Sequence, residues 1–287
     1  MNIFGKQPPI SIITDFGPDG AVWRMKTAIK SVHPWADILD IDHNVPRFNI
    51  LCAAARLAEA TGAIDVGEGS VFVSVVDPGV GTSRKGLVVR TKKGKLLVGP
   101  DNGSLSIVFQ KEGVEKAVEI DEYGAKTLLN GAYSATFHGQ AVFAPIAAHL
   151  AKGVKIGEFG RQVGEDELVK IALDAPAENG KLVGYLINID NFGQLRTTIP
   201  NGEVVGFEGH KKHLLIEDGK AVYAGKALVS ATFLNAPENT PIINPASTGC
   251  VDIALRLASA SLGLGVSYKY VNLDGNLHPI TRVKIGE

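Results

Sequence analysis

The chain is short of cysteine, of net charge and of long apolar runs, and each shortage removes a class of function. Cys52 and Cys250 are the only cysteines among 287 residues. Two cysteines cannot build a disulfide framework, and without a CxxC pair they offer no zinc site. They read as small buried side chains of a protein in a reducing compartment, hence a cytoplasmic one. Lys plus Arg total 29 against 30 Asp plus Glu, a formal charge of −1. That balance argues against nonspecific nucleic-acid binding through a basic face. The segment MNIFGKQPPI holds no apolar run of signal-peptide length. The longest apolar stretch near the C-terminus, roughly 253–266, is interrupted by Arg256, serines and glycines. It is too short to span a bilayer.

Several chemical motifs are also missing. No GxxxxGK[ST] occurs, and Gly79-Val80-Gly81-Thr82 has only half of a dinucleotide fingerprint, with no third glycine and no helical pattern after it. Phosphate-bearing cofactors are therefore disfavoured. No HExxH and no Asp-rich calcium loop argue for a metal, and no GxSxG supports a serine hydrolase. No low-complexity tract or solenoid repeat is visible.

What remains is an ordinary globular composition, with 45% hydrophobic and 21% charged residues, over a length of about two domains. Strands and helices alternate in the first half. Strands are predicted at Ile10–Thr14, Ala36–Ile41 and Val71–Val76, and helices at Ala21–Val32, Asn49–Thr61 and Leu105–Gln110. Gly86–Thr91 and Lys95–Val98 read as a hairpin around Lys93-Gly94. Gln140–Lys152 reads as a helix in which Pro145 marks an early turn or a kink. This alternation predicts a mostly parallel sheet with helices on both faces. From Lys181 short strands take over, at Leu182–Ile189, Leu195–Ile199, Glu203–Phe207, Leu214–Glu217 and Ala221–Ala224. Turn signals at Asn201-Gly202 and Asp218-Gly219 give them the spacing of antiparallel structure. The expected fold is thus α/β: an N-terminal α/β domain (1–174), a linker (175–180) and a C-terminal antiparallel β domain (181–287).

In open α/β sheets ligands bind beyond the carboxyl ends of strands. Two loops qualify, Asp15–Gly20 and Asp77–Arg84. In VDPGVGTSR an acid stands directly after an apolar strand, and Arg84 follows seven residues later. If the loop folds back, Arg84 reaches Asp77 and holds its carboxylate ionised and oriented. A salt bridge that merely braces the loop explains the same spacing. His138, in Thr136-Phe137-His138-Gly139, has the most site-like setting of the seven histidines. A hydrogen-bonded structural histidine is the plainer alternative. His43, after Asp40-Ile41-Asp42, could orient a loop, and the other five read as structural.

The motifs TDFG (14–17), the Met25-Lys26 helix, DIDHNV (40–45), VDPGVGTSR (76–84), GPDNG (99–103), TFHG (136–139), FAPIAAHLA (143–151) and IDNFGQL (189–195) occur in this order. Together they resemble the S-adenosyl-L-methionine (SAM) hydroxide adenosyltransferases, the hydrolase relatives of the SAM-dependent fluorinase and chlorinase. The resemblance covers nearly the whole chain. It implies hydrolysis of SAM to adenosine and L-methionine without a metal or redox cofactor. It also implies a homotrimer, with sites between the N-terminal domain of one subunit and the C-terminal domain of the next. The implied catalytic residues are Asp77, Arg84 and His138, and Asp15 is the implied acid for the ribose hydroxyls. Asp190 and Gln194 match positions for the methionine end or nearby ribose. Phe233, Ser247 and Thr248 match positions around the base, and Phe48 and Phe192 complete the implied substrate contacts. Gln140-Ala141, Ala21-Val22-Trp23-Arg24, Phe48-Asn49 and Gln194 depart from the family pattern, which bears on substrate fit. Halogenases of this superfamily carry Tyr where Asp77 stands. A carboxylate there repels a halide and suits water as the nucleophile. A SAM- or adenosine-binding module without catalysis is a further alternative, though binding alone has no need of a water-activating trio.

Overall fold

A computed structural model of the chain describes residues 8–62, 67–121, 134–171, 180–267, 270–273, 276–279 and 281–286. The contacts divide it into two compact units, Met1–Ile171 and Ala172–Glu287. The expected 175–180 linker lies outside the described residues except for Gly180.

The first unit runs β1 (Ile10–Thr14), α1 (Ala21–Val32), β2 (Ile38–Asp42), α2 (Ile50–Thr61), β3 (Val71–Val75), β4 (Gly86–Thr91), β5 (Leu96–Pro100), α3 (Ser106–Glu112), β6 (Val114–Ile120), α4 (Ala144–Ala151) and β7 (Gly160–Val163). Its sheet has the order β2-β1-β3-β5-β4-β6-β7. Pairs β1–β2, β1–β3 and β3–β5 are parallel, but β4–β5, β4–β6 and β6–β7 are antiparallel. The expected mostly parallel sheet is thus corrected to a mixed one. The short connection around Gly94 (φ 77°), four residues between Thr91 and Leu96, forces β4 and β5 antiparallel, because a crossover needs a dozen or more residues. β1 and β3 are buried along their whole length, as strands covered on both faces are.

α1 and α4 pack together with β1, β3 and β5 in one core that includes Met25, Ile29, Ile146 and Phe143. α2 and α3 pack against each other and against β1, β3 and β4. α2 starts where Asn49 accepts a hydrogen bond from the Cys52 amide at 2.9 Å, satisfying an orphan donor of its first turn. The predicted helix 140–152 is really two pieces. Gly139–Phe143 is a π-helical turn, and Pro145 falls in the first turn of α4. There its missing N–H costs little.

The second unit is a closed barrel in the order β10-β11-β12-β13-β9-β8-β16. Its strands are β8 (Leu182–Ile189), β9 (Leu195–Pro200), β10 (Lys211–Glu217), β11 (Ala221–Val229), β12 (Pro241–Pro245), β13 (Cys250–Leu255) and β16 (Arg282–Gly286). A short helix α5 (Ala260–Gly263) follows β13, and β14 (Tyr270–Leu273) pairs with β15 (Asn276–Pro279) outside the barrel. Every barrel pair is antiparallel except β11–β12. The barrel is filled by alternate residues such as Leu186, Leu195, Leu214, Ile216, Ile243, Ile253 and Val283. The predicted strand 203–207 is not formed. Asn201–Glu203 makes a 3₁₀ turn, and the turn continues with Val204 as its single buried anchor and Val205 exposed. No helix among the described residues is long and apolar enough to cross a membrane.

Candidate active site

β1 and β3 lie side by side and parallel, with Thr14 opposite Val75. The chain therefore leaves both strands at the same sheet edge, and the first carboxylates it meets are Asp15 and Asp77. β1 has β2 on one side and β3 on the other, so this edge is a topological switch point, where open α/β sheets bind ligands.

Arg84 turns back across the loop to Asp77. Its Nε lies 3.0 Å from each carboxylate oxygen, and its Nη2 also donates to Oδ2. The same Nη2 is 2.9 Å from His138 Nδ1. Arg84 and Asp77 side chains are 9% and 5% exposed, and His138 is 4% exposed. Asp77 and Arg84 from one loop and His138 from a distant one form one buried hydrogen-bonded group. Arg84 Nη1 is also buried, with no hydrogen-bond partner among the described residues. A guanidinium donor left over in a buried cluster is a place for an oxygen ligand.

The glycines of the loop make this closure possible. Gly81 has φ 77°, and a Cβ there would come within 2.8 Å of the Ala135 carbonyl oxygen. Only glycine lets the 79–84 loop lie against the segment that carries His138. At Gly139 an added Cβ would meet Phe137, Met25 and Val75 at 3.1–3.2 Å. The space beside Gly139 is therefore filled by packing within the unit.

The GPDNG loop braces the same region from behind. Asn102 donates to the carbonyl of Val76 at 2.8 Å and accepts from the Ser104 amide. Val76 immediately precedes Asp77, so this bond fixes the direction in which the strand delivers the carboxylate. Burial pushes the Asp101 carboxyl above its ordinary range, offset in part by the Val169 amide that it accepts at 2.9 Å.

Asp15 faces a cleft of about 310 Å³ whose lining includes Asp19, Arg47, Phe48, Asp77, Phe137 and His138. Asp15 Oδ2 accepts from the Phe48 amide at 2.8 Å. Burial raises the Asp15 pKa above the usual carboxylate value, and the charge of Asp77 adds to this. The Phe48 amide and the Arg47 charge pull it back. Phe48 is 47% exposed and has φ 62°, an uncommon conformation for a bulky residue. His43 also acts on this edge. Its ring lies 3.0 Å from Thr14 Oγ1 and 3.0 Å from Asp40, its carbonyl accepts from the Gly17 amide at 2.7 Å, and Asp40 pairs with Lys26. His43 thus braces the Asp15 loop, as its place after a strand had suggested. Asp40 is held below its ordinary pKa by Lys26 and His43, against the effect of burial.

The second unit carries the other candidates. Asp190 ends the β8–β9 turn by accepting from the amides of Phe192 and Gln194, both at 2.9 Å. Phe192 is 77% exposed. Ser247 and Thr248 sit in the β12–β13 turn, where Thr248 Oγ1 reaches the Cys250 carbonyl at 3.5 Å. β13 faces β9 with Ile253 opposite Leu195 and Cys250 opposite Pro200. This register puts the Asp190–Gln194 turn at one end of the ladder and the Ser247–Thr248 turn at the other. Phe233, 39% exposed, follows β11 beyond Ser230, which is bonded to Ile243 and Asn244 of β12. Within one barrel these residues do not form a single cluster. Arg47 and Asn102 escaped the sequence reading. Arg47 carried no motif, and Asn102 was visible only as part of GPDNG. Among the described residues no group of three or more His, Cys, Asp or Glu side chains could hold a metal ion.

Comparison with known proteins shows the family. The SAM hydroxide adenosyltransferase N-terminal domain matches residues 10–160, and the corresponding C-terminal domain matches residues 184–271. The chain is 33% identical over 267 residues to a protein of Salinispora arenicola named (R)-S-adenosyl-L-methionine hydrolase, covering 91% of this chain and 95% of that one. A Methanocaldococcus jannaschii protein of the same name is 39% identical over 200 residues, 68% of each chain. A crystal structure of an uncharacterized conserved protein from Thermotoga maritima superposes with a TM-score of 0.82 at 31% identity, covering 97% of this chain and all of that one. With both domain models matched in order and relatives above 30% identity over nearly its full length, the chain belongs to the SAM hydroxide adenosyltransferase family.

Proposed function

We propose that this protein hydrolyses SAM to adenosine and L-methionine by attack of a water oxygen on C5′. The observation that carries this reading is the buried Asp77–Arg84–His138 group beside the cleft that Asp15 shares. SAM brings its own leaving group: as the C5′–S bond breaks, its electron pair neutralises the sulfonium and methionine departs as a thioether. No acid is needed for that departure. The difficulty lies with the nucleophile, since water is weak until oriented and relieved of a proton.

The hydrogen bonds divide the work. Arg84 can only donate, so His138 Nδ1 is the acceptor in their 2.9 Å contact. A neutral ring then carries its proton on Nε2 and orients water as a donor. Asp77 Oδ1 has lone-pair capacity beyond its contact with Arg84 Nε and receives the water proton as the C5′–O bond forms. That proton passes to solvent, which balances the loss of the sulfonium charge. Arg84 stabilises the developing hydroxide. Asp15, ionised, accepts from the ribose diol. Asp190, Gln194, Phe192, Phe48, Phe233, Ser247 and Thr248 complete substrate recognition, with no metal or redox cofactor. A homotrimer in the cytoplasm, with each site shared by two subunits, is the assembly that the family resemblance supports.

Incubating the purified protein with SAM and separating the products by chromatography tests the reading. Adenosine and methionine in equal amounts are expected. No adenosine above the uncatalysed control overturns hydrolysis, and leaves a SAM-binding module. A chloride-dependent 5′-chloro-5′-deoxyadenosine peak transfers the protein to the halogenase class.

A further inference from the structure

Phe143 ends the π-helical turn that starts one residue after His138, and its ring is fully buried. Two of the three polar side chains of the site rest on it. The Arg84 guanidinium carbon lies 5.3 Å from the ring centroid, and the His138 ring meets it edge to face at 6.4 Å. In a regular α-helix, residues five apart point about 140° away from each other. The wider turn, closed by the Ala144 amide on the Gly139 carbonyl, rotates position 143 back beneath position 138. Such turns recur at functional sites. Glycine at residue 86 of β4 leaves room for the ring. A Cβ there would come within 3.2 Å of Phe143 Cε1 and 3.1 Å of Ile120 Cδ1.

We propose that Phe143 is a positioning residue, whose ring holds the Arg84 guanidinium by its face and the His138 imidazole by its contact with that ring. The Asp77–Arg84–His138 hydrogen bonds are thereby set before substrate enters. This rests on the hydrolase reading above. A leucine fills much of the same space but has no π face for the guanidinium and no edge for the imidazole. A desolvated cation–π contact of this kind corresponds to about a 3- to 30-fold effect.

The test compares Phe143→Leu with Phe109→Leu, an equally buried phenylalanine on α3. Phe143→Leu is expected to lower kcat about 3- to 30-fold with KM little changed, and to shift the His138 ring signals in NMR spectra. Phe109→Leu is expected to lower Tm but leave kcat and the His138 signals as in the wild type. Gly86→Ala, which presses on the ring without removing it, lowers kcat in the same direction and decides the matter should Phe143→Leu not fold. Wild-type kcat and unshifted His138 signals in Phe143→Leu overturn the proposal, as does an equal kcat loss in Phe109→Leu. If the wild type turns over no SAM, the hydrolase reading fails by itself. The NMR comparison then still decides whether Phe143 sets the His138 ring.

Discussion

At the scale of single residues, seven positions of sequence separate Asp77 from Arg84, and the folded loop reduces that to a direct ion pair. The pair was foreseeable from spacing. Its extension to His138, 54 residues further on, was not, because no local rule connects two loops that distant. The proposed division of labour makes a graded prediction. Asp77→Asn and His138→Ala each lower kcat by about 10²- to 10⁴-fold while SAM affinity changes little, read by steady-state kinetics and calorimetric titration. His138→Gln, whose amide N–H can replace the Nε2 donor, retains more activity than His138→Ala. Equal activity in the two would make the ring's proton irrelevant.

Asp15 makes a second prediction at this scale. Burial raises its pKa in the folded state above the value in the unfolded chain. Its contribution to stability is therefore present below the ordinary carboxylate range and is lost as pH rises through the raised value. Asp15→Asn, neutral throughout, melts at a higher temperature than the wild type at pH 7. The difference closes below about pH 3, where the carboxyl is protonated in both the folded and the unfolded chain. The same substitution weakens substrate binding, since a neutral amide is a poorer acceptor for a diol. A fluorimetric melt across pH, together with KM, checks both arms, and a lower Tm at pH 7 would contradict the first.

Elements show where periodicity was informative and where it was silent. Fully buried strands such as Val71–Val75 and the Asn49-capped helix were legible, because burial on both faces and a cap leave marks on the residues themselves. The π-helical turn left none, since its register depends on what His138 and Phe143 pack against. The 203–207 segment misled because valines at 204 and 205 suit a strand in isolation, yet only Val204 finds a core to enter. Strained turns give the prediction at this scale. Leu257, in the turn after β13, has φ 52° and is 88% exposed. Leu257→Gly should stabilise the chain by about 1 kcal/mol in denaturant unfolding, because the left-handed conformation penalises an L side chain. Phe48 has the same kind of backbone at the edge of the cleft. Phe48→Gly should raise stability similarly while raising KM, the pattern of strain retained for function.

For the whole molecule, the question is where the proposed substrate residues of the barrel are used. The Asp190–Gln194 turn and the Ser247–Thr248 turn lie at opposite ends of the β9–β13 ladder. The proposed trimer with sites shared between subunits yields a specific outcome. Co-expressed Asp77→Asn and Asp190→Ala chains form mixed assemblies in which some sites draw an intact Asp77 from one chain and an intact Asp190 from the other. Activity should reappear although each variant alone is inactive, and native mass spectrometry should show three chains. No recovery in mixed trimers would place each site within a single chain.

The sequence by itself determined the α/β-then-β order and the two loops at the sheet edge that carry Asp15, Asp77 and Arg84. These depend on short-range chemistry: apolar runs, turn residues and an acid placed at a strand end. The tertiary structure alone decided that the first sheet is mixed, that the second unit closes into a barrel, and that Arg84 bonds Asp77 and His138 at once. Each of these depends on which strands and loops come together, and that is set by packing between residues far apart in the chain.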